Sequence, residues 1–139
     1  MQSHALAVQI SVSPSGVPQW AVVGIVVTDE GEIFFDTLDS TRKVQNLRRN
    51  PKIGFVIGGL TPGEERTVQY EGVADEPKGA ELDRLKDLYF LRFPDGRERQ
   101  SWPGLTYLRA RPLWIRYSDF NQNPPEVVEF DWVRLAGAR

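Results

Sequence analysis

Residues 5–37 read ALAVQISVSPSGVPQWAVVGIVVTDEGEIFFDT, and the spacing within this stretch decides the fold. Leu6, Val8, Ile10 and Val12 alternate with polar or small residues, a period of two that predicts a strand over 5–13 with those four side chains buried. Pro14-Ser15-Gly16 predicts a turn, because proline fixes φ and glycine accepts positive φ. A second strand follows over 17–28; its later half is almost continuously apolar, so both of its faces should be covered. Asp29-Glu30-Gly31 turns the chain again, into a third strand over 32–37. Two short turns joining three strands give an antiparallel meander.

Working outward, residues 39–50 predict a short helix. Ser40 or Thr41 offers the N-cap hydroxyl, Val44 and Leu47 form an inward face, and Asn50-Pro51 stops it. A strand is expected over 52–58, a loop over 59–65, and a strand over 66–75 with Val68 and Tyr70 alternating and a bulge or bend at Gly72. Leu82, Leu85, Leu88 and Tyr89 recur at helical spacing and predict a second helix over about 78–92. Residues 93–104 read as a polar loop, and 106–117 as a long strand whose Pro112 marks a bulge or an edge. Residues 127–132 read as a short terminal strand. The sum is a mainly β fold of six or seven antiparallel strands with two inserted helices. So few helices cannot cover two sheet faces, so closure into a small barrel is expected. Residues 1–139 read as a single domain.

Composition narrows the chemistry. The chain has 139 residues, enough for a hydrophobic core without metal or disulfide staples. It has no cysteine, which excludes a thiolate nucleophile, a disulfide framework and Cys-based metal sites. Its one histidine, His4, reads as a chain-end residue, and a His-based triad cannot be assembled within one chain. A formal net charge of −2 supplies no basic field for nucleic acid. The N-terminus lacks the features of a secretory signal, and no apolar run approaches the ~20 residues that span a bilayer. A cytoplasmic protein without nucleic-acid or membrane partners is expected.

The chemical signal lies at the start of the first helix, Ser40-Thr41-Arg42-Lys43. A helix N-terminus carries partial positive charge and free N–H groups, so two cations there run against the local preference for Asp or Glu. A bound anion reverses that conflict: hydroxyls, free amides, a guanidinium and an ammonium would converge on one phosphate. Solvated cations on a short helix would look the same, and spacing alone leaves both readings open. Arg48 and Arg49, at the opposite end, are welcomed by the dipole and need no ligand.

The run Phe34-Phe35-Asp36-Thr37, then Ser40-Thr41-Arg42-Lys43-Val44-Gln45-Asn46-Leu47-Arg48-Arg49-Asn50-Pro51, resembles the pyridoxamine 5′-phosphate oxidase-like proteins, which are split β-barrels that bind FMN. The resemblance extends from Gly16-Val17-Pro18 through the strand 53–57 to Glu65-Arg66-Thr67-Val68 and Glu71-Gly72. It implies that Arg42 and Lys43 hold the FMN phosphate with the Thr41 hydroxyl. Asp36 and Thr37 would lie at the cofactor, with Thr37 touching ribityl chain or phosphate. Ala21, Val22, Val23 and Gly24 would lie along the isoalloxazine, which the missing Cβ of Gly24 would let approach, and Thr67 would stand near the flavin. It further implies a homodimer with the cofactor at the interface, to which Trp102 and Arg99 are candidate cross-chain contributors. Trp20 and Trp114 read as packed. Asp36 and Tyr107 are possible proton donors.

The departures also carry information. Genuine pyridoxamine 5′-phosphate oxidases add an Arg-x-His near the C-terminus, whereas the comparable stretch here is Pro112-Leu113-Trp114-Ile115-Arg116-Tyr117; their extra phosphate arginine falls near Ala21. The resemblance thus implies a flavin-mediated hydride or electron transfer with an unidentified small molecule, with substrate or a nicotinamide reductant stacking on the exposed ring. Rival readings are a deazaflavin-binding reductase, a haem protein, for which the axial His is nearly lacking, or a non-catalytic flavin-carrying, stress-related binding protein.

Overall fold

The computed structural model describes residues 1–132. Its elements run β1 (Leu6–Val12), β2 (Pro18–Gly24), β3 (Val26–Val27), β4 (Ile33–Leu38), α1 (Arg42–Arg49), β5 (Lys52–Gly58), β6 (Arg66–Asp75), α2 (Gly79–Arg92), α3 (Gly96–Arg99), β7 (Leu105–Asp119) and β8 (Glu126–Asp131). All strand pairs are antiparallel, in the order β2-β1-β5-β6-β7-β4-β3, with β8 added to β7. The turns close on Gly16 and Gly31 at φ of 83° and 79°, as the turn chemistry requires.

The two ends of this sheet are halves of one segment. Residues 18–27 pair with β1 through β2, bend at Gly24-Ile25, and pair with β4 through β3. The Ile25 amide donates to the Ala5 carbonyl at 2.8 Å, so the bend stays bonded. The sheet therefore curls into a barrel, and Ile25 turns fully into its core with Ile33, Phe35, Phe55, Ile57 and Tyr70. What the sequence presents as one long strand is thus two, because one segment must serve both sheet ends. A second apolar cluster lies outside the barrel wall, where Leu85 and Tyr89 of α2 cover Val26 and Phe34. Phe34 and Phe35 point to opposite faces of β4 and both are fully buried.

β1 overturns its predicted facing. Ala7, Gln9 and Ser11 are the buried side chains, while Leu6, Val8, Ile10 and Val12 line the outer face. Alternation alone gives a period, not a direction, and here the apolar set faces outward. Opposite it on β2, Trp20 and Val22 are 65% and 67% exposed, so Trp20 is not packed as expected. The predicted bulge is present: the β6–β7 register shifts between Glu71 and Gly72, which faces Pro112. The expected loop over 93–104 contains α3. Among the described residues no helix is long and apolar enough to cross a membrane.

Candidate functional site

α1 begins inside the barrel mouth, against the inner faces of β1 and β2. Its N-cap, Thr41, makes no side-chain cap; the Thr41 hydroxyl instead donates to the Leu38 carbonyl at 2.8 Å. No acidic residue stands in the first turn to offset the helix's positive end. Lys43 Nζ donates to Thr37 Oγ1 at 3.3 Å, and the Thr37 and Thr41 hydroxyls lie 3.4 Å apart. Neither Arg42 nor Lys43 forms an ion pair with a described residue. Burial holds the Lys43 ammonium below its ordinary pKa. By contrast Arg48 reaches Glu76 at 2.8 Å, and Arg49 reaches Asn46 Oδ1 at 3.2 Å, so the helix's other end is satisfied within the chain.

A cavity of about 390 Å³ opens at this helix start. Thr41, Arg42 and Lys43 line it from one side, Gln9, Ser11, Gln19 and Ala21 from the other, and Trp20 stands at its edge. Ser11 and Gln19 both accept from Asn46 Nδ2, at 3.1 and 2.9 Å. Gln9 is fully buried, and neither its Nε2 nor its Oε1 has a hydrogen-bond partner. Leaving such a group unsatisfied costs about 1–3 kcal/mol, so a ligand that bonds it would recover that penalty. An anion carrying polar groups fits this donor set: two unpaired cations, hydroxyls, helix amides and an orphaned carboxamide face one space.

The other expected site residues divide between faces. Ala21 faces the cavity, Val23 is buried in the core, and Val22 points outward. A Cβ on Gly24 would meet the Phe93 ring at 3.0 Å; a flat ring does approach this glycine, but it belongs to the same chain. Thr67 sits on β6 opposite Gly58 and Ser118, three strands from Ala21 in the sheet, and is not brought to the cavity.

Asp36 also stands apart, on the face of β4 opposite to Thr37. It accepts from Arg99 Nε at 3.0 Å and from the Tyr89 hydroxyl at 3.1 Å, beneath α2 and α3. Burial and the Asp36 charge raise the Tyr89 pKa, and Tyr107 is raised by the same two causes in the same order. Burial works against the Arg99 cation, but its bonds and charge contact with Asp36, helped by Asp95, raise its pKa overall. Asp36, Tyr89 and Arg99 hold one another, while the buried Tyr107 hydroxyl beside them has no hydrogen-bond partner among the described residues; none of the four lines the α1 cavity. Arg99, a candidate for a partner's site, is thereby occupied within its own chain. Trp102 is half exposed after α3, and Trp132 packs on the core edge near Phe130.

A larger cavity, about 780 Å³, lies between α2 and the β3–β4 turn. Its arginines are already engaged: Arg84 with Glu81 and Glu32, Arg92 with the carbonyls of His4 and Gln2. Size favours it, but unspent charge favours the α1 cavity, and charge is what selects a ligand.

The family model described as pyridoxamine 5′-phosphate oxidase matches residues 1–119. The chain belongs to that family. Solved structures agree in fold. A haem-binding protein from Mycobacterium smegmatis superposes at a TM-score of 0.79 with 16% identity, over 93% of this chain and 53% of that one. The chain thus spans about half that relative's length. HutZ, the haem storage protein of Vibrio cholerae, gives 0.71 with 15% identity over 94% and 87% of the two chains. A pyridoxamine 5′-phosphate oxidase-related, FMN-binding protein from Nostoc punctiforme gives 0.66 with 12% identity over 91% and 87%. At these identities the likeness establishes the split-barrel fold alone. No curated protein matches the chain in sequence. Structures of this fold thus include one described as FMN-binding and others described as haem-binding or haem-storing.

Proposed function

We propose that this chain binds FMN, with its phosphate at the start of α1, and serves as a flavin-dependent oxidoreductase acting on a small molecule. The observation that carries the reading is the pair Arg42 and Lys43, unpaired among the described residues, at an uncapped helix N-terminus lining a polar cavity. Arg42, Lys43, Thr41 and Thr37 would hold the phosphate. Bound FMN supplies hydride or electron transfer, and a nicotinamide is the natural reductant class. The chain's own residues bind, orient and keep water from the cofactor. Haem is less well served: His4 is exposed and lines a different cavity, with Leu6 and Leu60. Pyridoxamine phosphate is not the expected substrate, since residues 112–117 carry no histidine and Arg116 faces Glu129 at 3.6 Å.

The protein would act as a homodimer. Leu6, Trp20 and Val22, each more than half exposed, form an apolar strip with Val8 and Ile10 on the outer face of β1–β2. Such a strip is self-complementary about a two-fold axis. Trp20 belongs to both the strip and the cavity edge, so a second copy would approach the cofactor. The test is denaturation of the purified protein with mass and spectral identification of the released chromophore. FMN supports the reading; haem, deazaflavin or no chromophore after loading with FMN contradicts it.

A further inference from the structure

We propose that Gln9 recognises the hydroxyl-bearing carbon chain attached to the phosphate, making the α1 cavity selective for a phosphorylated polyol over phosphate alone. This rests on the reading that a phosphoester sits at Arg42 and Lys43. The inner faces of β1 and β2 present a polar strip of Gln9, Ser11 and Gln19. Asn46 satisfies Ser11 and Gln19, which leaves Gln9 with both amide atoms unpartnered while wholly buried. Directly across the register stands Ala21, a small side chain that lines the same cavity as Gln9.

The chemistry of the carboxamide selects its partner. Nε2 donates and Oε1 accepts, whereas a phosphate dianion only accepts and would leave Oε1 unbonded or repelled. The partner must therefore donate and accept side by side. Hydroxyls do so, and on a ribityl phosphate they lie next to the phosphoester, within the reach of the cavity that Gln9 shares with Lys43. The pyrimidine edge of a flavin also donates and accepts, but it stands at the far end of the ribityl chain. Gln9 thus reads the polyol.

The experiment titrates wild type and Gln9→Met, which keeps the shape but removes the amide, with FMN, riboflavin, lumiflavin and inorganic phosphate. Binding is followed by flavin fluorescence or calorimetry, and apo-protein melting is measured in parallel. The expected result is an equal loss for FMN and riboflavin of about tenfold, the scale of one net hydrogen bond. Lumiflavin, which lacks the ribityl chain, and phosphate should bind both proteins alike, and apo Gln9→Met should melt no lower than wild type. Unchanged FMN affinity would overturn the assignment of Gln9 while leaving the flavin reading intact. Equal loss for lumiflavin would overturn it in favour of ring-edge contact, and loss of phosphate with lowered melting in favour of a packing role. Wild type that binds no FMN would remove the flavin reading itself, and the Gln9 assignment with it. Should Gln9→Met not fold, Gln9→Asn, which withdraws the amide by one methylene, carries the same expectations.

Discussion

Lys43 Nζ donates to Thr37 Oγ1 at 3.3 Å, so this cation in the first turn of α1 is anchored to a neutral hydroxyl and not to a carboxylate. Burial lowers its pKa from the ordinary 10.5. Because the folded value lies below the unfolded one, the unfolded chain binds more protons between the two values. The charged lysine's penalty is therefore complete below the folded pKa and is relieved as pH rises through it. A bound anion pushes the pKa back up. FMN binding should thus take up a proton at alkaline pH, just below the ordinary lysine value, and FMN affinity should fall as pH rises there. Calorimetry in two buffers of different ionisation enthalpy reads this directly; no proton uptake at alkaline pH would mean that Lys43 is remote from the anion.

Asp36 couples β4 to α2 and α3 through Tyr89 and Arg99. Asp36→Ala leaves Arg99, four-fifths buried, without its inner partner, though Asp95 still holds it at 2.7 Å. The expected loss is about 2–3 kcal/mol, below the range for fully buried pairs. Chemical denaturation measures it, and an unchanged midpoint would show that the pair is dispensable. FMN affinity of the folded variant should be unaltered, because Asp36 faces away from the cavity.

Gly72 marks the bulge at which β7 changes register. A Cβ there would lie 2.5 Å from the Arg111 carbonyl oxygen and 2.8 Å from the Tyr70 ring. The first contact is backbone and cannot rotate away. Gly72→Ala should cost about 1–3 kcal/mol, the usual range for overpacking, seen as a lower melting temperature; wild-type stability would show that the bulge can shift.

The outer strip predicts assembly. Light scattering should give a dimer for the wild type and a monomer for Val22→Glu, since a charge cannot be buried against its own symmetry mate without a partner. A dimer of unaltered strength in that variant would place the interface elsewhere.

Much of this was legible in the chain. The bounds of β5 and β6 and the bulge at Gly72 match the expectation, because alternation and glycine constrain a central strand strongly. The facing of β1 was not legible: four apolar residues at period two suit a core or an interface equally, and only the closed sheet says which. The break at Ile25 arises from sheet closure, a long-range requirement with no local signature. The short α3 hid in a polar segment without apolar periodicity. Of the residues expected at a cofactor, Ala21, Thr37, Thr41, Arg42 and Lys43 converge at the α1 cavity and its hydroxyl cluster, whereas Asp36 and Thr67 do not. Gln9 went unread because a polar residue between apolar ones looks like a solvent face.

The central claim is that α1 grips a phosphoester, and the ratio of FMN to riboflavin affinity tests it. Each charge-assisted bond to phosphate is worth about 1.5–3 kcal/mol, so wild type should prefer FMN by more than about a hundredfold. Arg42→Ala combined with Lys43→Ala should erase that preference while leaving the barrel folded. Equal affinity of the wild type for the two flavins, or a preference that survives in the double variant, would contradict the account.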